Sequence, residues 1–486
     1  SSAASDVYKR QVYLYWKNRN NKPQPKARFQ ELPVVTVQLP MFNEKFVVDR
    51  LLESVAALDY PQDRLEIQIL DDSTDDTTEQ CYRKVEELKS RGFDAVCIHR
   101  TDRTGFKAGA LEAATKVAKG EFLLILDADF VPEPDLLQKT IHFFTDENVG
   151  LVQTRWGHIN REYNLLTRIQ GMYLDGHFAM EQTARNRSGR FFTFNGTAGI
   201  WRKCVIGDAG GWSHDTLTED MDLSYRVQLK GWRFIYLNDV VTPAELPVDM
   251  DGFKSQQHRW TKGSIQVCQK ILLDIWRSNA PLKAKVEATT HLTCNYSYLL
   301  LALLCFLVYP ICTQRIPENE TVFMWFVNVA LFFMTSVAVC IFYMSAQIVV
   351  RPKSWWKELP YLPLLLTLSV GMAVNNAKAV LEAIFGHQSA FVRTPKYGVD
   401  RKEDRRHVSQ LKRNGYRAIK SVVIPVLEIA CGTFFLNLII IMIRQGHYLS
   451  PILMIPFLGF YYTGFCSLGR MISNLLPAKQ TAKAKN

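Results

Sequence analysis

In Leu123-Leu-Ile-Leu-Asp-Ala-Asp129, two carboxylates, Asp127 and Asp129, stand two residues apart at the end of an unbroken apolar run. On extended backbone both point to one side, and like charges held that close repel unless a cation lies between them. Mg²⁺ and Mn²⁺ prefer a few carboxylate oxygens supplemented by phosphate oxygens, so the pattern predicts a nucleoside diphosphate as companion ligand. A polar loop with Asp129 capping the helix after Pro132 uses the same residues equally well. The other charged positions have to decide.

"DDSTDDT" puts Asp71 and Asp72 at the end of a second apolar run. Thr74, Asp75 or Asp76 suffices to cap the helix that follows, which leaves Asp71 and Asp72 to accept from a base or a ribose hydroxyl. "LTEDMDLSYR" holds Glu219, Asp220 and Asp222. They read either as an acidic helix start favoured by the helix dipole or as a source of a general base toward a hydroxyl. In "QQHRW", Gln256 and Arg259 precede Trp260. The arginine suits bidentate phosphate contact and the tryptophan suits stacking on a sugar face, although a Trp-Arg pair is also a common membrane-interface anchor. No GxxxxGK[ST] occurs, which disfavours a P-loop kinase or ATPase.

These residues need a frame. The runs at 34–39, 65–70, 94–99 and 122–126 are short and rich in strand formers, and the segments between them carry apolar residues at helical spacing. Strand-helix alternation predicts a doubly wound sheet with right-handed crossovers and its ligand edge at the loops after the strands. Residues 155–288 read as mixed α and β, rich in aromatics.

The chain has 486 residues, 48% of them hydrophobic, which is more than one soluble domain needs. Apolar runs near 292–312, 322–346, 421–443 and 447–469 are long enough to cross a bilayer. The net charge of +11 would suit nucleic acid, but the basic residues cluster beside apolar runs in "RPKSWWK", "RKEDRRHVSQLKRNGYR" and "KQTAKAKN", where they act as membrane anchors, so no nucleic-acid partner is expected. The ten cysteines include no C-x-x-C pair and fit a reducing compartment. "SSAASDVYKRQ" resembles a tag or adaptor remnant, and "VYLYWKNRN" the end of a truncated membrane helix. If the first domain is cytoplasmic, the count of positive charges closes with four crossings after it. The stretch 359–386 is then an interfacial or re-entrant pair of short helices broken near Asn375 and Asn376. The expected layout is 1–30 terminal segment, 31–288 soluble domain, 289–350 two membrane helices, 351–419 interfacial helices, 420–470 two further membrane helices, and 471–486 basic tail.

In order, DDS, DAD, TED and QQHRW resemble the D, DxD, TED, Q(Q/R)xRW signature of the processive family 2 glycosyltransferases, the cellulose, chitin and hyaluronan synthase group. "LPMFNE", "RTGFKAGAL", "LVQTRW", "FFTFNGTAGIWR", "AGGW", "LKGW" and "ELP" are similar to segments of the cellulose-synthase-like A and C proteins, which make mannan and glucan backbones, and of their bacterial relatives. Four ordered motifs are far more specific than any one. "FVRTPKYG" at 391–398 extends the resemblance into the membrane half.

The resemblance implies a GT-A type, doubly wound mixed α/β sheet fused to an α-helical transmembrane bundle. It implies that Asp71 and Asp72 hold the nucleoside, that Lys107 lies near the diphosphate, and that Asp127 and Asp129 bind Mg²⁺ or Mn²⁺. Asp220 becomes the base, with Glu219 beside it. Gln256, Arg259 and Trp260 become contacts to diphosphate and acceptor sugar, Asn195, Gly196 and Thr197 the acceptor segment, and Arg393 and Thr394 part of a gating loop. Cellulose-type synthases have a cysteine before the Gly-Thr pair where this chain has Asn195, so acceptor details are not transferable. The implied activity is that of an inverting hexosyltransferase (EC 2.4.1 type) in a bacterial inner membrane or a Golgi membrane. It would polymerise a β-linked glucan or mannan from UDP-glucose or GDP-mannose and pass the product through its own helices. A single transfer to a lipid, as in ceramide glucosyltransferase, would use the same catalytic set. A transporter or receptor without catalysis is disfavoured because every acidic motif position is filled.

Overall fold

A computed structural model of the chain describes residues 2–313, 337–387, 394, 396–399, 422–444 and 451–475. The first four apolar runs form β1 (Val35–Met41), β2 (Leu65–Asp71), β3 (Asp94–His99) and β4 (Phe122–Ile125). β4 is buried along its whole length, as its unbroken apolar run requires; β2 is buried too, although Glu66 and Gln68 alternate with its apolar residues, and these are paired with Thr36 and Gln38. Helices Val48–Ala56, Thr77–Ser90 and Phe106–Val117 make the crossovers. In the first, Val48, Leu51, Leu52 and Val55 fall at helical spacing and are buried. Burying each is worth about 1.5–3 kcal/mol.

The sheet continues through β5 (Val149–His158), β6 (Gly199–Arg202) and β7 (Arg233–Ala244), giving the order β3-β2-β1-β4-β6-β5-β7. β1 pairs parallel with β2 and β4, β2 with β3, and β5 with β7. β6 alone runs backwards, antiparallel to both β4 and β5. That reversal has a consequence for the ligand edge. Gly199 at the start of β6 lies opposite Ile125 at the end of β4. The loop that enters β6, Asn195 to Ala198, therefore arrives beside Asp127 and Asp129.

The 28-residue helix Met250–Arg277 lies between the sheet domain and the apolar helices. The Asp249 side chain caps it, accepting from the Gly252 N–H at 2.9 Å. Lys254 on this helix is buried and donates to Glu428 at 2.5 Å, to the Thr463 carbonyl at 3.0 Å and to the Ser467 hydroxyl at 2.9 Å. Arg470 pairs with Asp249 at the helix start. These contacts tie the helix to Val423–Arg444 and Pro451–Leu475.

Among the described residues, three helical stretches are long and apolar enough to cross a membrane: Leu282–Pro310, Trp355–Ile384 and Val423–Arg444. Leu300, Leu303, Phe306 and Leu307, and likewise Val423, Val426 and Leu427, are exposed, as suits surfaces solvated by lipid. The chain is membrane-associated. The stretch expected to be interfacial folds as a 3₁₀ turn, Trp355–Tyr361, followed by helices Leu362–Gly371 and Ala373–Ile384, which meet at Met372. Asn375 and Asn376, just past that break, are buried, and Asn375 donates to the Lys254 carbonyl at 3.1 Å. Gly371 is obligatory because a Cβ there would come within 2.4 Å of the Gly459 carbonyl oxygen.

Most of the span read at 322–346 and most of the basic segment 393–417 lie outside the described residues. The terminal segment is part of the fold rather than an appendage. Ser2–Asn18 is helical, Tyr8 packs 4.6 Å from the Phe342 ring, and Arg10 and Gln11 both donate to buried Glu287.

Candidate active site

The ends of β1, β2, β4 and β7, the entry to β6 and one face of helix Met250–Arg277 enclose a cleft of about 180 Å³. Asp72, Lys107, Asp127, Asp129, Asn195, Gly196, Glu219, Asp220, Gln256, Arg259, Trp260 and Thr394 all line it. Twelve of the expected positions thus converge from seven separate segments.

Not every expected position reaches the cleft. Asp71 is fully buried behind the wall, accepting from the Ser73 N–H at 3.0 Å and the Thr78 hydroxyl at 2.7 Å, with His99 Nδ1 at 2.7 Å. It shapes the loop that presents Asp72. Thr197 is also buried, and its hydroxyl accepts from the Asp127 N–H at 2.8 Å, which fixes the first carboxylate of the pair. Arg393 lies outside the described residues. Asp129 caps no helix: Asp135 precedes the next one.

Each acidic residue has a cationic neighbour. Asp72 takes the fork of Arg100, Nε to Oδ1 at 2.8 Å and Nη2 to Oδ2 at 2.6 Å. Lys107 donates to Asp127 and, at 2.7 Å, to the Gly196 carbonyl. Lys396 donates to Asp129 at 2.6 Å and to the Glu245 carbonyl at 2.6 Å. The Glu245 carboxylate accepts from the Tyr397 and Val399 N–H groups, so it clamps the segment after the apolar helices onto the cleft.

Asp220 stands in the first turn of helix Glu219–Leu229. Burial, reinforced by the Glu219 charge, raises its carboxyl to about 7 against the pull of Lys107, the Met221 N–H and Arg259. That places it near neutrality, where a general base works best. Burial would also lower Lys107, but Asp127, Glu219 and Asp220 outweigh it and its ammonium is held charged. Asp222, two residues on, belongs to the fold: it is buried against Arg226 and Lys270.

Gly196 has φ +80°, and a Cβ there would stand 3.0 Å from Asp220 Oδ2. Only glycine lets the β6 entry loop pass the base this closely. On the other side Gly263 admits the TED turn, since a Cβ there would meet Thr218 Cγ2 at 2.5 Å. Gln256, Arg259 and Trp260 share one helical face by their i, i+3, i+4 spacing. Trp260 lies 6.5 Å from Trp156, which stacks on Phe178 at 4.6 Å.

Asp127 and Asp129 supply hard oxygen donors. Among the described residues no cluster of three or more His, Cys, Asp or Glu side chains completes a metal site. The donor set therefore fits a hard divalent cation whose other ligands come from a diphosphate and water.

Among the cleft residues with no role assigned from sequence are Phe42, Arg103, Trp156 and Glu245, while Lys396 falls in the FVRTPK segment read as gating-like. Arg103 lies 3.4 Å over the Phe42 ring. Trp156, Glu245, Lys396 and Arg103 all stand inside strings that resemble the synthases, which was the available signal.

Residues 33–263 match the family described as glycosyltransferase like family 2. Over that segment the chain is similar to a family 2 glycosyltransferase domain. It is 42% identical over 283 residues to glucomannan 4-beta-mannosyltransferase 2 of Arabidopsis thaliana, covering 55% of this chain and 52% of that protein. It is 41% identical over 277 residues to glucomannan 4-beta-mannosyltransferase 1 of Oryza sativa subsp. japonica, covering 56% and 53%. The aligned region spans about half the length of these curated relatives. The fold is shared with the mannosyltransferase PcManGT from Pyrobaculum calidifontis, solved with GDP-Man and Mn²⁺, at a TM-score of 0.54 and 20% identity over 80% of this chain and 97% of that one.

Proposed function

We propose that this chain is an inverting hexosyltransferase that extends a β-linked glycan in or at a membrane, with GDP-mannose as its donor. The observation that carries the reading is the convergence, in one cleft, of the Asp127–Asp129 pair, the raised carboxyl of Asp220, and Arg259 with Trp260. The names of the curated relatives favour mannose over UDP-glucose.

The chemistry follows from where the charges stand. Asp72 and its partner Arg100, with Arg103 and Phe42 nearby, would hold the nucleoside. A divalent cation, Mg²⁺ or Mn²⁺, held by Asp127 and Asp129 would supply charge neutralisation to the donor diphosphate. Lys107 and Arg259 add fixed positive charge where negative charge develops on the leaving group. Trp260, backed by Trp156, offers a flat face to the acceptor's terminal sugar. Asp220 takes the proton of the acceptor hydroxyl as its oxygen attacks the anomeric carbon and the diphosphate departs opposite. One displacement inverts an α-linked donor into a β-linked product.

The apolar helices packed on helix Met250–Arg277 support delivery of the growing chain into the membrane, with the cleft on the cytoplasmic side. The test supplies purified, detergent-solubilised protein with Mn²⁺ and radiolabelled GDP-mannose or UDP-glucose in parallel. High-mass label released by β-mannanase is expected. Label found only in the organic phase would mean a lipid acceptor and overturn the polymer reading.

A further inference from the structure

Asn195 lines the cleft on the β6 entry loop, and its amide is gripped from behind by a π-helical turn, Gly176–Gln182. Such turns interrupt α-helices frequently at functional sites. Here the turn sends Phe178 under Trp156 and His177 to Asn195.

The hydrogen bonds admit one assignment. Gln182 Nε2 faces the Thr193 backbone carbonyl at 2.8 Å, and a carbonyl only accepts, so this atom is the donor end of the amide. The same Nε2 reaches Asn195 Oδ1 at 2.6 Å. The other end of Asn195 is therefore its NH₂ group, and it stands 3.1 Å from His177 Nε2. His177 Nε2 must then accept, which puts the ring proton on Nδ1, where it is donated to Glu181 Oε2 at 3.0 Å. Glu181 also accepts from Arg185, which donates to buried Glu287. The Asn195 NH₂ group carries two hydrogens, and one remains after His177 is satisfied.

We propose that His177 and Gln182 are positioning residues that lock the Asn195 amide in one orientation, so that its remaining N–H is offered to a hydroxyl oxygen of the acceptor's terminal sugar beside Trp260. This rests on the glycosyl-transfer reading above and deepens it. The acceptor subsite becomes an aromatic face with a hydrogen-bond donor at its edge. A sugar bearing a hydroxyl there is held in register with Asp220, which lies against Gly196, the next residue in the chain.

The readout is coupling: the sugar incorporated into glycan per nucleoside diphosphate released. A poorly held acceptor lets water take the donor sugar, so free monosaccharide accumulates. In detergent-solubilised full chain with GDP-mannose and Mn²⁺, His177→Phe keeps the ring but removes the acceptor atom. It is expected to lower coupling about tenfold, the factor for 1.4 kcal/mol, with donor KM unchanged. His177→Gln restores an acceptor near the Nε2 position and is expected to restore coupling.

Coupling unchanged in His177→Phe, or lost equally in both variants, would overturn the proposal. Should His177→Phe fail to fold, Gln182→Glu replaces it. A carboxylate there cannot donate to Asn195 Oδ1, so the amide turns over and coupling should fall; unchanged coupling would again be fatal. Absence of transfer by the wild-type chain from either GDP-mannose or UDP-glucose is a separate result, and it removes the glycosyl-transfer reading itself.

Discussion

The two walls of the cleft are built on different plans. The donor wall is made of short loops after parallel strands, and most of its contacts are close in sequence: Asp72 with Arg100, Asp71 with Ser73 and Thr78, Lys107 with Asp127; Lys396 on Asp129 is the long-range exception. The acceptor wall hangs on one long helix whose position is set from far away, by Lys254 reaching Glu428, 174 residues on, and by Arg470 reaching Asp249. The donor wall should tolerate disturbance of the membrane helices, and the acceptor wall should not.

The largest effect expected is on the donor side. Asp127→Asn, or removal of divalent cations by a chelator, should abolish detectable transfer and weaken nucleotide-sugar binding, measured by calorimetry with and without Mn²⁺. Unchanged binding in both would take the cation away from this pair. Next comes the link that separates the walls. Lys254→Met leaves Glu428 buried without its ammonium, which costs about 3–5 kcal/mol, whereas Lys254→Met with Glu428→Leu should recover most of it. Thermal unfolding in detergent reads the stability. Nucleotide binding by the folded single variant should survive while acceptor coupling falls; equal loss of both would erase the distinction between the walls.

The pH dependence sharpens the same contrast. With the Asp220 carboxyl raised to about 7, transfer should climb about tenfold per pH unit below that value and level above it, while nucleotide binding stays flatter. Stability moves the opposite way. A carboxyl raised in the folded state contributes most when protonated, below its unfolded value, and that contribution is lost as pH rises from about 4 toward 7. Gly196→Ala, at φ +80°, should cost about 1–2 kcal/mol of stability and displace Asp220, with transfer falling more than folding. The smallest effect on the donor is expected from Asp71→Ala. It strips partners from Ser73, Thr78 and His99 at about 1–3 kcal/mol and should raise donor KM only modestly, because Asp71 does not reach the cleft and acts through the loop that presents Asp72.

The same contrast decides what could be read in advance. β1 to β4 and their crossover helices were legible because apolar period and turn residues are local. The carboxylate pair was legible because its charges follow an apolar run, whereas the TED and QQHRW residues were legible through the ordered set of motifs that resembles the family 2 glycosyltransferases. The reversal of β6 was not: "GIWR" reads as a strand in either direction, and only the close pass permitted by Gly196 shows why it enters beside Asp220. Nor could spacing distinguish Asp71 from Asp72, or Asp222 from Asp220, because neighbouring carboxylates differ only in which direction the backbone turns them. The contacts of Lys254, Glu245 and Lys396 were not legible either, since their partners come from the other half of the chain.

The measurement closest to the central claim follows nucleotide-sugar binding and single-turnover sugar transfer side by side in Asp220→Asn. Retained binding with transfer reduced about 10²–10⁴-fold is expected of a lost general base. Transfer at the wild-type rate would contradict the assignment of Asp220, and with it the reading of this cleft as the place where the glycosidic bond is made.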